Sequence, residues 1–180
     1  MVYMFLANGF EEIEALYTLD VLRRAMVDIK TVGVSSKTAL GSHGIPVICD
    51  ITTDELPFDN GFDMIILPGG MPGSTNLDND ESVNRYISIA KENGKYICAI
   101  CAAPFILGKR GLLKGKKATC FPGFEKYLDG ATVVDAGVVR DGNIITGRAM
   151  GSAHDFALAI LEALKGEDKA QEIKKAIILK

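Results

Sequence analysis

The sequence predicts an α/β layered fold, with parallel strands joined by crossover helices, and three observations point to it. Short runs rich in β-formers alternate with amphipathic stretches along the chain. Turn-forming residues punctuate the junctions at Asn8-Gly9, at Pro68 through Gly73 and at Gly94. Hydrophobic residues make up 48% of the 180, enough for one domain to bury a substantial core without disulfide or metal staples.

In chain order, residues 2–7 are a continuous apolar strand. Residues 11–26 follow as a helix, with Ile13, Leu16, Leu19, Val21, Leu22 and Ala25 close to helical spacing. Residues 29–34 are the second strand. Residues 42–49, with His-Gly and Pro, form a looser extended segment expected at a sheet edge. The run Met-Ile-Ile-Leu makes 63–67 a strand, and the Pro-Gly-Gly-Met-Pro-Gly of 68–73 continues neither strand nor helix. Helical periodicity resumes over 81–93, Gly94 stops it, and 96–100 is another buried strand. A short helix fits 102–109, with Pro104 in its first turn where no intrahelical amide is needed. Residues 138–147 form a small hairpin turned at Asp141-Gly142. Ser152-Ala-His154-Asp155 has capping-box spacing and opens a helix through Phe156, Ile160, Leu161 and Leu164 that Gly166 ends. A polar helix and Ile177-Ile178-Leu179 close the chain, with the C-terminus expected to dock.

The charge balance excludes some partners. Twenty Lys and Arg against 23 Asp and Glu give a net charge of -3, no electrostatic footprint for nucleic acid or anionic lipid. Neither a signal-peptide core nor a run of membrane length is present, so a soluble, cytoplasmic protein is expected. Four cysteines are sparse for a disulfide scaffold, and two histidines leave little for a Cys/His metal site. The thiols are expected to be reduced, with no metal and no cofactor.

Chemistry concentrates at strand ends. Lys95 through Gly108, KYICAICAAPFILG, places Cys101 between an apolar strand and a helix, followed by the small Ala102-Ala103 pair. That is the pattern of a nucleophile elbow, in which a sharp turn lifts the side chain above the carboxyl edge of the sheet. Free amides of the following helix would lower the Cys101 pKa below its ordinary value. From this segment alone, a buried structural cysteine at a strand end reads equally well. Cys98 and Cys101 also form a Cys-x-x-Cys, but Cys98 lies within the strand at an odd offset and is read as core. The turn Asn8-Gly-Phe-Glu-Glu-Ile-Glu14 brings three acids to the same edge. Of these, Glu14 buried beside a thiol would have a raised pKa, while Glu11 and Glu12 are read as complementing the helix dipole. The amides of the Gly69-Gly70 loop could hold an oxyanion, although no phosphate-binding glycine pattern is present.

Taken together, Ala7 through Glu14, Leu67-Pro-Gly-Gly70 and Ala99-Ile-Cys-Ala-Ala-Pro104 resemble the ThiJ/PfpI superfamily in its DJ-one, Parkinsonism-associated branch, over essentially the whole chain. The resemblance implies a flavodoxin-like three-layer sandwich with a mostly parallel central sheet. It implies a single ThiJ/PfpI-type, class I glutamine amidotransferase-like domain over residues 1–180 and usually a homodimer. By the same resemblance Cys101 is the nucleophile, Glu14 its protonated partner, and Gly69, Gly70 and Ala102 supply surrounding amides. Two departures narrow this. Ala102 replaces the histidine that follows the cysteine in the peptidase-like branch, and Phe121 stands where close relatives often carry a histidine. His43 falls near a family position where a basic residue of a neighbouring subunit approaches the pocket, and an exposed turn residue is an equal reading of it. The implied activity is that of a cofactor-independent glyoxalase or deglycase acting on a small aldehyde such as methylglyoxal. An oxidative-stress sensor or chaperone with a sulfinate-forming cysteine is the alternative, and an intracellular peptidase a weaker one.

Overall fold

Alternation along the strands decides the layering. In β1 (Val2–Leu6), Met4 and Leu6 enter one apolar cluster and Tyr3 and Phe5 another, and all four are buried. That is the signature of a parallel strand covered by helices on both faces. In this computed structural model, which describes residues 1–57 and 59–179, β1 is followed by α1 (Glu12–Arg24), β2 (Ile29–Gly33), β3 (Thr38–Leu40), β4 (Pro46–Ile48) and β5 (Ile51–Thr52). Then come β6 (Met64–Leu67), α2 (Gly73–Asn79), α3 (Glu81–Glu92), β7 (Tyr96–Ile100), α4 (Pro104–Lys109), β8 (Lys117–Ala118) and β9 (Thr132–Val133). The chain ends in β10 (Val138–Asp141), β11 (Ile144–Gly147), α5 (Ala153–Lys165) and α6 (Glu167–Ala176).

Seven strands make the central sheet in the order β10-β11-β7-β6-β1-β2-β5, parallel except where β10 runs antiparallel to β11. Residues of α1, α5 and α6 pack on one face, and residues of α2, α3 and α4 on the other. The expected α/β/α sandwich is thus observed. From β1 the chain builds outward to β2 and β5, then returns to the other side of β1 as β6 and β7. The reversal opens a crevice at the carboxyl ends of β1 and β6, the position where such sheets bind ligands.

Several expectations need correction. Residues 42–49 are no edge of the main sheet: β3 and β4 pair with each other as a separate hairpin, and the edge strand is β5. Ile13 faces outward at 49% exposure, because the buried side of α1 is set by Ala15, Leu19 and Leu22. Ser152 makes no side-chain cap. A 3-10 turn over Met150–Ser152 leads into α5, and the Ala153 amide already donates to Met150 O. The periodicity also left α2 and the β8-β9 pair unread. At the C-terminus Ile177 packs against the core while Ile178 stays exposed. Among the described residues, no helix is long and apolar enough to cross a membrane.

Candidate functional site

Three adjacent strand ends converge at the crevice: β1 leads to Glu14, β6 to the 68–72 loop, and β7 to Cys101. Cys101 is half-buried and has φ of 65°, a left-handed conformation rare for a residue with a side chain. Such a residue costs about 1–3 kcal/mol and persists only where its surroundings fix it. Here the Cys101 N–H donates to Gly147 O at 3.0 Å, and the Cys101 carbonyl accepts from the Phe121 N–H at 2.8 Å. Two segments distant in sequence therefore hold the elbow.

Gly69 explains how the acid reaches the thiol. A β-carbon there would lie 2.5 Å from Cys101 Cβ and 2.6 Å from Glu14 Oε2, so only glycine lets both side chains close on this backbone. Glu14 is buried at 1% exposure, and its Oε2 accepts from the Gly69 N–H at 2.8 Å. Its Oε1 is buried without a hydrogen-bond partner, and its carboxyl interacts with the Cys101 thiol. Glu11 caps α1 by accepting from the Glu14 N–H at 2.7 Å, which fixes the turn carrying the acid.

The electrostatics correct one expectation. Burial pushes Glu14 up to about 7, with the Glu11 charge adding to it and the Cys101 and Gly69 contacts opposing. The Cys101 thiol lies above its ordinary value rather than below it. Burial, then the charge and hydrogen bonding of Glu14, push it up to about 12, against the pull of the Gly70 and Ala102 amides. The helix-terminus argument left out both burial and the acid, and α4 begins only at Pro104. Two adjacent acids cannot ionise together cheaply: both keep their protons below about 7, and above it Glu14 ionises while the Cys101 thiol stays protonated up to about 12.

The structure also divides the expected amides. The Gly69 amide is engaged by Glu14, so it positions the acid, whereas those of Gly70 and Ala102 face the sulfur. Cys98 is core, with burial raising its thiol far above the ordinary value. The alternation used to separate it from Cys101 fails, because both border the same apolar cluster: the left-handed turn at Cys101 resets the direction of the side chain. All four cysteines are free.

Glu12, read as a dipole partner, instead clamps the β3-β4 turn. Its carboxylate accepts from the His43 N–H at 2.7 Å, from His43 Nδ1 at 2.8 Å and from Ser42 Oγ at 3.3 Å. Burial opposes ionisation, but those donors prevail and hold Glu12 down at about 2. His43 is raised by the same carboxylate. His43 thus belongs to Glu12 within this chain, and its hydrogen bonds do not reach Cys101. The ligand atoms of Glu11, Glu12 and His43 lie within 4.8 Å of one another, yet these carboxylates already serve the helix cap and the turn. Nothing local in the sequence signals this clamp, nor the Gly147 and Phe121 backbone partners of Cys101.

The arrangement defines a class: an α/β sandwich with a cysteine at a strand-to-helix elbow beside a buried acid. Residues 1–163 match the DJ-1/PfpI family, and the chain belongs to that family. Drosophila protein dj-1beta is 36% identical over 179 residues, 98% of this chain and 95% of that protein. Arabidopsis DJ-1 homolog B is 37% identical over 97% of this chain, which spans only 40% of that longer protein. The Caenorhabditis elegans glutathione-independent glyoxalase DJR-1.2 is 31% identical over 94% of this chain and 90% of its own. Among solved structures, Drosophila DJ-1beta superposes with a TM-score of 0.94 at 35% identity, covering 99% of this chain and 97% of that one. The C103A mutant of the Salmonella typhimurium DJ-1 superfamily protein STM1931 gives 0.93 at 39% identity, covering 98% and 97%.

Proposed function

We propose that this protein is a cofactor-independent glyoxalase or deglycase-like enzyme acting on methylglyoxal, glyoxal or their adducts. The observation that carries this reading is the Glu14 carboxyl and Cys101 thiol closing on Gly69, an acid and a thiol near enough to exchange a proton. Transfer of the thiol proton to ionised Glu14 makes the sulfur a thiolate facing the Gly70 and Ala102 amides. The thiolate adds to the aldehyde carbon of methylglyoxal, and Glu14 protonates the resulting alkoxide to give a hemithioacetal. Glu14 then relays hydrogen from the former aldehyde carbon to the neighbouring ketone carbon through an enediol. The first carbon is oxidised to a thioester and the second reduced to an alcohol, so no external oxidant or reductant enters. Water cleaves the thioester, releasing lactate and restoring the thiol. The relationship to the nematode glyoxalase supports the substrate class.

The test is methylglyoxal consumption and lactate formation by purified protein. Cys101→Ala is expected to abolish both, and undiminished consumption by that variant would overturn the reading. A second reading, oxidant sensing, rests on Cys101 being the one cysteine of four that is not buried. Sulfinate formation at Cys101 under mild peroxide, with no aldehyde turnover, is the outcome that favours it.

A further inference from the structure

A groove of about 310 Å³ opens beside the reactive centre, lined by Met71, Phe105, Phe124 and Tyr127 with Asp78 and Lys109 among its polar neighbours. Two links tie it to the backbone around Cys101. Met71 directly follows Gly70, whose amide faces the Cys101 sulfur. Phe121, whose N–H donates to the Cys101 carbonyl, packs edge-on against Phe124 with ring centroids 6.5 Å apart. From Phe124 the rings continue to Tyr127 at 5.8 Å and Phe105 at 6.2 Å. One row of aromatic rings therefore runs from the backbone of the nucleophile into the groove.

The charges around the groove are already matched. Asp78 accepts from Lys109 and from Arg110, each at 2.6 Å, and the Lys109 ammonium lies 5.4 Å over the Phe105 ring. A ligand entering the groove therefore meets ring and thioether surface rather than a free charge. That surface is open: Met71 is 51% exposed and Tyr127 42%. The volume is at the lower end of the roughly 300–1,000 Å³ of ligand pockets, the size of a single ring rather than of a peptide segment. Flat rings meeting edge-to-face favour an aromatic guest over an aliphatic one.

Building on the glyoxalase reading, we infer that this groove is an aryl subsite of the same centre, holding the aromatic ring of an arylglyoxal whose aldehyde carbon meets Cys101. The nucleophile then serves aromatic 2-oxoaldehydes better than methylglyoxal, which carries no ring to place in the groove.

The experiment compares kcat/KM for phenylglyoxal and methylglyoxal in wild type, Phe124→Ala and Tyr127→Ala. Because each protein is assayed with the same two aldehydes, their different intrinsic electrophilicity cancels. Each variant is expected to lose about tenfold more on phenylglyoxal than on methylglyoxal, in keeping with the burial of an aromatic ring. Equal losses on both aldehydes, or none on phenylglyoxal, overturn the subsite while leaving the glyoxalase reading standing. If Phe124→Ala fails to fold, the exposed Tyr127 supplies the readout. A second measurement stands apart from turnover: titration with acetophenone, an unreactive aryl ketone, followed by NMR. Shifts at the Met71 methyl that vanish in Tyr127→Ala or Phe124→Ala support the subsite even if neither aldehyde is turned over. Absence of shifts in wild type overturns it.

Discussion

Glu12 and Glu14 sit two residues apart in the first turn of α1, both buried, and their surroundings drive them in opposite directions. Glu12 receives three donors from the Ser42-His43 turn and is held at about 2. Glu14 receives one amide, from Gly69, lies beside a thiol, and is pushed to about 7. Burial disfavours charge in both, but far more at Glu14, so depth of burial and the number of donors together decide the outcome. Neighbouring acids on one helix thereby become a structural clamp and, in the proposed mechanism, a proton carrier, a division set by environment rather than residue type.

The contrast can be broken from either side. Glu14→Gln removes the proton carrier and keeps the shape, and is expected to lower methylglyoxal turnover by about 10²-fold or more. A loss of less than tenfold would mean that Glu14 moves no proton in the slow step. Glu12→Gln leaves the reacting groups in place and acts on stability instead. Weakening the clamp should cost about 1 kcal/mol or more, which thermal unfolding reads as a Tm lower by about 2–4 °C per kcal/mol in a chain of this size.

Stability against pH separates the two acids by sign. Glu12 titrates in the fold below its ordinary 4.5, so its contribution is present above 4.5 and is lost as pH falls toward about 2. Glu14 titrates above 4.5, so the fold binds the extra proton and stability is lost as pH rises from 4.5 through about 7. Denaturant midpoints across this range should show the acid-side decline flattened in Glu12→Gln and the neutral-side decline flattened in Glu14→Gln. The reverse assignment would invalidate the comparison. His43→Gln should have the smallest effect. Its raised pKa adds stability that is present below the ordinary histidine value and is lost as pH rises through the raised one. Removing it should flatten that decline, with a smaller Tm change than Glu12→Gln.

Much of this was legible in the sequence, for identifiable reasons. Strand, turn and helix punctuation placed Glu14, Gly69 and Cys101 at three strand ends, and the parallel order of β1, β6 and β7 then brings those ends together. What periodicity could not show was contact across distance. The Glu12 clamp depends on a hairpin 31 residues away in the chain, and β3 and β4 were hidden because three-residue strands carry too little alternation. The direction of the Cys101 shift was misread because a helix N-terminus is visible in a sequence while burial and the approach of Glu14 are not. The groove rings lie in 105–127, where Phe121, Phe124 and Tyr127 follow no regular spacing, and only the folded loop aligns them.

The pinning of Cys101 also bears on when its conformation arises. Its left-handed turn is held by Gly147, 46 positions later in the chain, and by Phe121. During synthesis the cysteine emerges well before β11, and until that strand docks beside β7 it is an ordinary flexible thiol. The elbow at Cys101 is therefore a product of the completed sheet rather than of its own local sequence.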